Sequence, residues 1–303
     1  MINLEILFLG VVHNNTMIQI GTRGSPLAIR QADGAASSLV QPYELVQIKS
    51  QGDIDQKTPI HEMGGKHIFC SAIEDKLLSG EIDCAIHSAK DVGTEIADGT
   101  EILGCVWEQG DRRDVLIGPF ENFDSIPSGY RIGTSAPRRA KMLQDQRSDL
   151  RFVPIRGNIQ TRIDLIAKQE VDGIIMAKCA LDRLNIEVQH TVMPETELLP
   201  AAGQGKVVVQ IRSDDVKMKD IWNPQILEWP TIELMAERYV LELVNGDCQT
   251  AIGVTADARP EKGMMQIRCS YHNGAKANHV QEIGELAEWK ILAQKVVHAF
   301  MSQ

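Results

Sequence analysis

At 303 residues the chain has room for two or three domains, each able to bury a core of its own. Hydrophobic residues make up 43% and charged residues 24%, the balance of an ordinary globular protein rather than a disordered or fibrous one. A net charge of −10 argues against non-specific nucleic-acid binding, which needs Lys and Arg spread across a large face. The apolar run over residues 4–12 is too short to span a bilayer and lacks the basic flank and cleavage site of a secretory signal. Residues 1–16 are therefore expected to form a poorly ordered N-terminal extension.

Ordered pattern begins at Met17-Ile18-Gln19-Ile20, whose alternation predicts a strand. The turn Gly21-Thr22-Arg23-Gly24-Ser25-Pro26 opens a helix over 27–40, with Ser25 suited to the N-cap and Pro26 to the first helical position. Arg23, the Ser25 hydroxyl and the free backbone N–H groups make that helix start a seat for an anion. Residues 44–50 read as a strand. Residues 53–66, ending in Gly64-Gly65-Lys66, form a polar loop of a length typical of lids. Helical spacing over 69–78 stops at Gly80.

The strand over 82–86 runs into His87-Ser88-Ala89-Lys90-Asp91-Val92. Ligands of open α/β sheets collect beyond the carboxyl ends of strands, and a Lys-Asp pair there can bind an anion and move a proton. An exposed ion pair at a turn would look the same from these residues alone. Further strands follow over 102–107 and 115–117, separated by Gly110-Asp111-Arg112-Arg113-Asp114.

A second unit repeats the plan. Arg131-Ile132 enters Gly133-Thr134-Ser135-Ala136-Pro137-Arg138-Arg139 and a helix through Met142 and Leu143. A strand over 152–155 ends in Arg156-Gly157-Asn158, a helix starts at Thr161-Arg162, and 171–177 is a buried strand. Strands alternating with helices predict two parallel α/β lobes. Pro200-Ala201-Ala202-Gly203-Gln204-Gly205 precedes a strand over 207–211 that can return to the first lobe, giving two hinge crossings. The rest begins with an amphipathic helix over 231–243, reaches Asp247-Cys248-Gln249, and continues as alternating strands and a helix over 286–300, a small α+β unit. The expected division is lobe 1 over 17–105 and 200–217, lobe 2 over 106–199, and a C-terminal domain over 218–303.

Seven arginines, Arg23, Arg112, Arg113, Arg138, Arg139, Arg156 and Arg162, stand mostly beside Gly, Ser or Thr, a local positive basin suited to a small polyanion. The six cysteines show no CxxC or paired His spacing, so no metal site is expected, and they read as reduced thiols of a cytoplasmic protein.

Taken together, these stretches resemble the porphobilinogen deaminase (hydroxymethylbilane synthase) family. The resemblance runs collinearly from about Ile18 to Val254 through 22–28, 64–66, 87–92, 133–135, 138–139, 156–158, 199–205 and Cys248-Gln249 with Ile252-Gly253. It implies two lobes like those of periplasmic binding proteins, with a third domain bearing a dipyrromethane cofactor on a cysteine thioether. It implies too that four porphobilinogen molecules are joined head to tail, with loss of ammonia at each addition, and released by hydrolysis as hydroxymethylbilane. By resemblance Asp91 is the catalytic carboxylate, with Lys90 beside it, and Cys248 carries the cofactor. Arg23, Ser25, Lys90, Ser135, Arg138, Arg139, Arg156, Arg162 and Gln204 hold carboxylates of cofactor and substrate, and Arg183 is a further candidate. The family implies a monomer that needs neither nucleic acid nor membrane.

Several positions depart from the family pattern: Ala136-Pro137 for Ser-Leu, Gly93 for Pro, Asp247 for Gly, Ala251 for Pro, and His67-Ile68 for Gly-Leu. Asp247 places an extra carboxylate beside the thiol, which raises a cysteine pKa. A two-lobed solute-binding protein would share the hinge and the anion seats without needing the Lys-Asp pair or the thiol. An enzyme using Cys248 as nucleophile with a distant His87 or His272 finds no support in the spacing.

Overall fold

The computed structural model describes residues 17–49, 70–246 and 250–302. The N-terminal extension, the 53–66 loop with Gly64-Gly65-Lys66, His67-Ile68, Asp247 and Cys248 lie outside the described residues. In chain order come β1 (Ile18–Arg23), α1 (Pro26–Ala36), β2 (Tyr43–Ile48), α2 (Ser71–Leu78), β3 (Cys84–Ser88) and β4 (Thr100–Cys105). Next are β5 (Asp114–Ile117), β6 (Arg131–Gly133), α3 (Pro137–Gln146), β7 (Arg151–Val153), α4 (Ile159–Ala167), β8 (Gly173–Ala177), α5 (Lys178–Arg183) and β9 (His190–Val192). The chain returns through β10 (Val207–Arg212), α6 (Val216–Trp222) and α7 (Glu228–Leu243), and closes with β11 (Ile252–Arg259), β12 (Met264–His272), β13 (Ala277–Glu285) and α8 (Trp289–Met301).

Two five-stranded sheets share one plan, β2-β1-β3-β10-β4 and β7-β6-β8-β5-β9. In each, the first three strands are parallel, whereas the fourth, β10 or β5, runs antiparallel to both neighbours. The lobes are thus mixed rather than parallel, because β10 enters its sheet from the opposite direction after visiting the second lobe. The expected fold class, two hinge-linked α/β lobes plus a small α+β unit, is the one observed. Helix α1 starts as its residues dictate, the Ser25 Oγ accepting from Ala28 N at 3.2 Å with Pro26 in the first turn. It ends at Ala36 instead of 40, where the Ser37 and Ser38 hydroxyls turn back onto the Gly34 and Ala35 carbonyls.

Ile18, Ile20, Ile86, Val207 and Val209 form the first core, and Met218 and Trp222 of α6 pack with them, as does Ile226. Residues 218–226, grouped by sequence with the C-terminal domain, therefore belong with the first sheet: the apolar side of α6 has its partner there. In the third unit the antiparallel sheet β11-β12-β13 buries Val254 and Ile267 against Ala236 and Val240 of α7 and Val296 and Phe300 of α8.

The two crossings lie side by side, Val106 N donating to Val207 O and Gly110 N to Gly205 O, each at 3.0 Å. Gly203, at φ +72°, lies so close to β3's end that a Cβ would stand 2.9 Å from the Lys90 nitrogen, so only glycine lets the return crossing press on the Lys-Asp turn. Helix α7 is fastened here through Glu237, whose carboxylate accepts from Lys206 Nζ at 2.8 Å, Gly203 N at 2.7 Å and Ala256 N at 3.1 Å. Lys206 and Glu237 are both buried. Glu237→Ala should therefore cost about 3–5 kcal/mol, since it leaves a buried ammonium and two buried N–H groups short of partners. We expect a lower thermal midpoint and earlier proteolytic release of the C-terminal unit; an unchanged midpoint would contradict this joint.

Candidate active site

The carboxyl ends of β1 and β3 and the start of α1 line a cleft whose walls include Arg23, Ser25, Gln31, Ser88, Lys90 and Asp91. After β3 the chain makes one 3-10 turn, Ala89–Asp91, which sends successive side chains in different directions. Asp91 faces outward with its side chain 39% exposed, accessible to a ligand, and its carboxylate lies 4.0 Å from the Arg23 guanidinium. Lys90 turns inward and donates to Gln204 Oε1 at 3.3 Å. Burial, with the Arg139 guanidinium nearby, pushes the Lys90 ammonium below the ordinary lysine range.

Gln204 is almost fully buried in the hinge turn and connects the lobes. Its Nε2 donates to Arg112 O at 2.7 Å and to Asp114 Oδ1 at 2.9 Å, and its Oε1 also accepts from Arg139 Nη2 at 3.4 Å. Asp114, first residue of β5, is fully buried between two guanidiniums: Arg138 Nη2 at 2.6 Å and Arg139 Nη2 at 2.7 Å. Burial alone would raise its pKa, but Arg138 and then Arg139 outweigh that and hold the carboxyl well below the usual range.

The sequence reading placed Arg138 among the carboxylate-holding residues. The structure places it differently: its second terminal nitrogen donates to Leu199 O at 2.6 Å, so both ends of the fork are taken by protein. Arg139, also expected to hold carboxylates of cofactor and substrate, likewise spends its guanidinium inside the protein, on Asp114, Gln204 Oε1 and the Ile175 carbonyl. Arg112 and Arg113 leave the expected basin too, Arg112 for Glu195 and Asp257 and Arg113 for Asp111. The Ser135 hydroxyl is bonded to the Ile155 carbonyl and accepts from Ile155 N, tying the start of α3 to the end of β7. Arg183 donates to Gly205 O at 2.7 Å and stacks on Trp107 at 4.8 Å, bracing the hinge.

Arg162, anchored by its Nε on Gly157 O at 2.8 Å, is the residue that shows convergence. Burial lowers its pKa to about 10, helped by the neighbouring charges of Arg139, Arg156 and Arg23 and opposed by Asp91. The charges that act on Arg162 thus come from both lobes, Arg23 and Asp91 from the first and Arg139 and Arg156 from the second. His87 Nε2 contacts Gln210 Oε1 at 3.0 Å, while Gln210 Nε2 donates to Glu74 Oε1 at 2.9 Å. Burial pulls that histidine down to about 4, so it is neutral at physiological pH. Cys248 lies outside the described residues. Downstream of it, Gly253 is pressed on Leu199, and Val254 N donates to Pro200 O at 2.9 Å, the hinge segment that also receives Arg138.

Asp114 escaped the sequence reading, which saw it only as the end of a charged turn. An acidic residue opening an apolar strand, with an Arg-Arg pair elsewhere, was the available signal. Arg238 and Glu237 gave no local sign at all.

Hinged α/β lobes closing on a cation-lined cleft with a carboxylate at a strand end define a protein that binds, and can do acid-base chemistry on, a small polyanion. Residues 18–220 match the family model described as porphobilinogen deaminase, dipyromethane cofactor binding domain. The chain is 38% identical over 251 residues to the porphobilinogen deaminase of Syntrophus aciditrophicus, covering 80% of this chain and 81% of that one. It is 40% identical over 243 residues to that of Geobacter metallireducens, covering 78% and 76%. The chain belongs to the porphobilinogen deaminase family. Among solved structures, a probable amino-acid ABC transporter extracellular-binding protein, YtmK of Bacillus subtilis, aligns at TM-score 0.43 and 10% identity over 69% of this chain and 90% of that one.

Replacing Asp114 by Asn should leave two guanidiniums in the interior without a counter-charge and destabilise the fold by roughly 3–5 kcal/mol at neutral pH. Because the folded-state pKa is depressed, this stability is present above the unfolded value near pH ~4 and is lost as pH falls below it. Urea midpoints of wild type and Asp114→Asn should therefore converge in acid; a constant gap from pH 7 to 3 would refute the assignment.

Proposed function

We propose that this chain catalyses the stepwise head-to-tail condensation of four porphobilinogen molecules, releasing ammonia at each addition and finally hydroxymethylbilane, on a dipyrromethane joined to Cys248. The observation that carries the reading is the accessible carboxylate of Asp91 beside Arg23 at a strand end, with Arg156 and Arg162 of the second lobe near enough for their charges to act together with it. Porphobilinogen carries an acetate and a propionate, and planar, permanently charged forks suit such carboxylates. The donor set also fits a dipyrromethane: burial first, and the neighbouring guanidiniums after it, lower the Arg162 pKa, and a ligand bearing several carboxylates relieves that crowding of cations. Arg23, Ser25, Arg156 and Arg162 would hold it; when bound it supplies the free α-carbon to which the first substrate is joined.

The protein's own part follows from position. Asp91, partly exposed beside Arg23, can pair its carboxylate with the substrate's aminomethyl ammonium. As ammonia leaves, the same carboxylate stabilises the positive charge on the pyrrole nitrogen, and it can then accept the proton lost when the new carbon-carbon bond forms. Lys90, held by Gln204 and lowered by burial, offers a donor to a carboxylate without crowding Asp91. We infer further that the enzyme works as a cytoplasmic monomer on this small molecule, without nucleic acid or membrane. The described cysteines support a reducing compartment, being buried and free, and no helix of the described residues is long and apolar enough to cross a membrane.

Incubation with porphobilinogen should release ammonia and give a product that oxidises to a porphyrin spectrum; the absence of both signals would refute the reading. Asp91→Ala and Asp91→Asn should each reduce turnover by at least about 10²-fold while leaving the fold intact, because the loss removes a proton acceptor and a charge partner together. Intact mass should show an addition the size of two pyrrole units on wild type and none on Cys248→Ser; equal masses would disprove the attachment site.

A further inference from the structure

Arg238, on helix α7, reaches out of the third unit to the turn that follows Asp91. Its Nη1 donates to Val92 O at 3.0 Å, and its Nη2 donates to Gly93 O at 2.6 Å and Thr94 O at 3.4 Å. No carboxylate forms an ion pair with it among the described residues; a partly buried guanidinium is given over to three consecutive carbonyls. The turn needs such a clamp. Gly93 leaves its backbone free to move, and just before it Asp91 O receives only a weak bond from Cys70 Sγ at 3.6 Å. The neighbouring Glu237 fixes the same helix turn to the hinge through Lys206 and Gly203. In sequence, α7 is also the helix that leads into the loop of Cys248.

We propose that Arg238 is a positioning residue: by gripping the carbonyls of residues 92–94 it fixes the Asp91 carboxylate relative to α7, the helix that precedes Cys248 in the chain. The inference rests on the proposed condensation activity. It explains a feature otherwise without purpose, a cation taken from water to satisfy acceptors that solvent could have satisfied. A fork is needed, since an ammonium is a compact donor that cannot span adjacent carbonyls in a fixed plane.

The test uses holoenzyme. Wild-type turnover of porphobilinogen is measured first, and its absence would sink the activity itself rather than the clamp. With activity present, Arg238→Gln and Arg238→Lys are compared after intact mass has given the loaded fraction. Turnover per loaded molecule should fall at least about tenfold in Arg238→Gln, toward the roughly 10²-fold cost of a small misplacement, with KM changed less than about twofold. Arg238→Lys should lie between the two. Amide hydrogen exchange should quicken over residues 89–97 and stay unchanged in β10. Val92, at φ −85° and ψ 121°, has the extended conformation that a following proline requires. Gly93→Pro added to Arg238→Gln should therefore recover turnover several-fold and restore protection. Unchanged turnover per loaded molecule, a loss confined to KM, exchange that quickens across the whole chain, or no recovery by Gly93→Pro would each overturn the proposal.

Discussion

The buried carboxylate of Asp114 is the charge on which the arrangement of the cleft depends. An anion without solvent must be fully compensated, and here compensation comes from two consecutive arginines at the start of α3 and from the Gln204 amide of the return crossing. Each of those groups has a second commitment: Arg138 to the Leu199 carbonyl, and Gln204 to Lys90. One ion therefore sets the entry to the second sheet, the start of its first helix, the hinge and the floor of the site. Because a half-satisfied buried network is worse than none, the geometry is held to one solution.

That commitment separates the arginines into two groups. Arg138, Arg139, Arg112 and Arg113 are paired with carboxylates within the protein, whereas Arg162 is anchored on a carbonyl and feels the charges of Arg139, Arg156, Arg23 and Asp91. A chain with net charge −10 thus presents a local cationic basin. Acidic surroundings do not cancel it, since surface charges beyond about 8–10 Å are screened in salt while the cleft groups lie within reach of one another.

The third unit does more than carry a loop. Glu237 and Arg238 are adjacent on α7, yet one grips the hinge and the other the turn after Asp91. On the other side, Arg268 and Asp257 complete a four-charge group with Arg112 and Glu195, and Asp145 of α3 contacts His272 at 3.3 Å and Ala277 N at 2.7 Å. The unit is therefore bonded to both lobes, whereas a plain two-lobed binding protein has only its crossings to govern closure.

Much was legible locally. Alternation located most strands, Ser25 with Pro26 marked the first helix, and the order of short motifs identified the family and the Lys-Asp turn, because caps, periods and turns involve neighbours in sequence. Short elements such as β9 and α5, and the long hairpin strand β13, with its half-exposed face, carry weaker patterns and were not foreseen. The sequence alone determined which residue types stand at the strand ends. Only the tertiary structure decided which guanidinium meets which acceptor, why Arg138 is spent on Asp114 and Leu199 O while Arg162 is anchored on Gly157 O, and that Arg238 holds the turn beside Asp91. Those choices depend on contacts between segments far apart in the chain, and neither spacing nor composition records them.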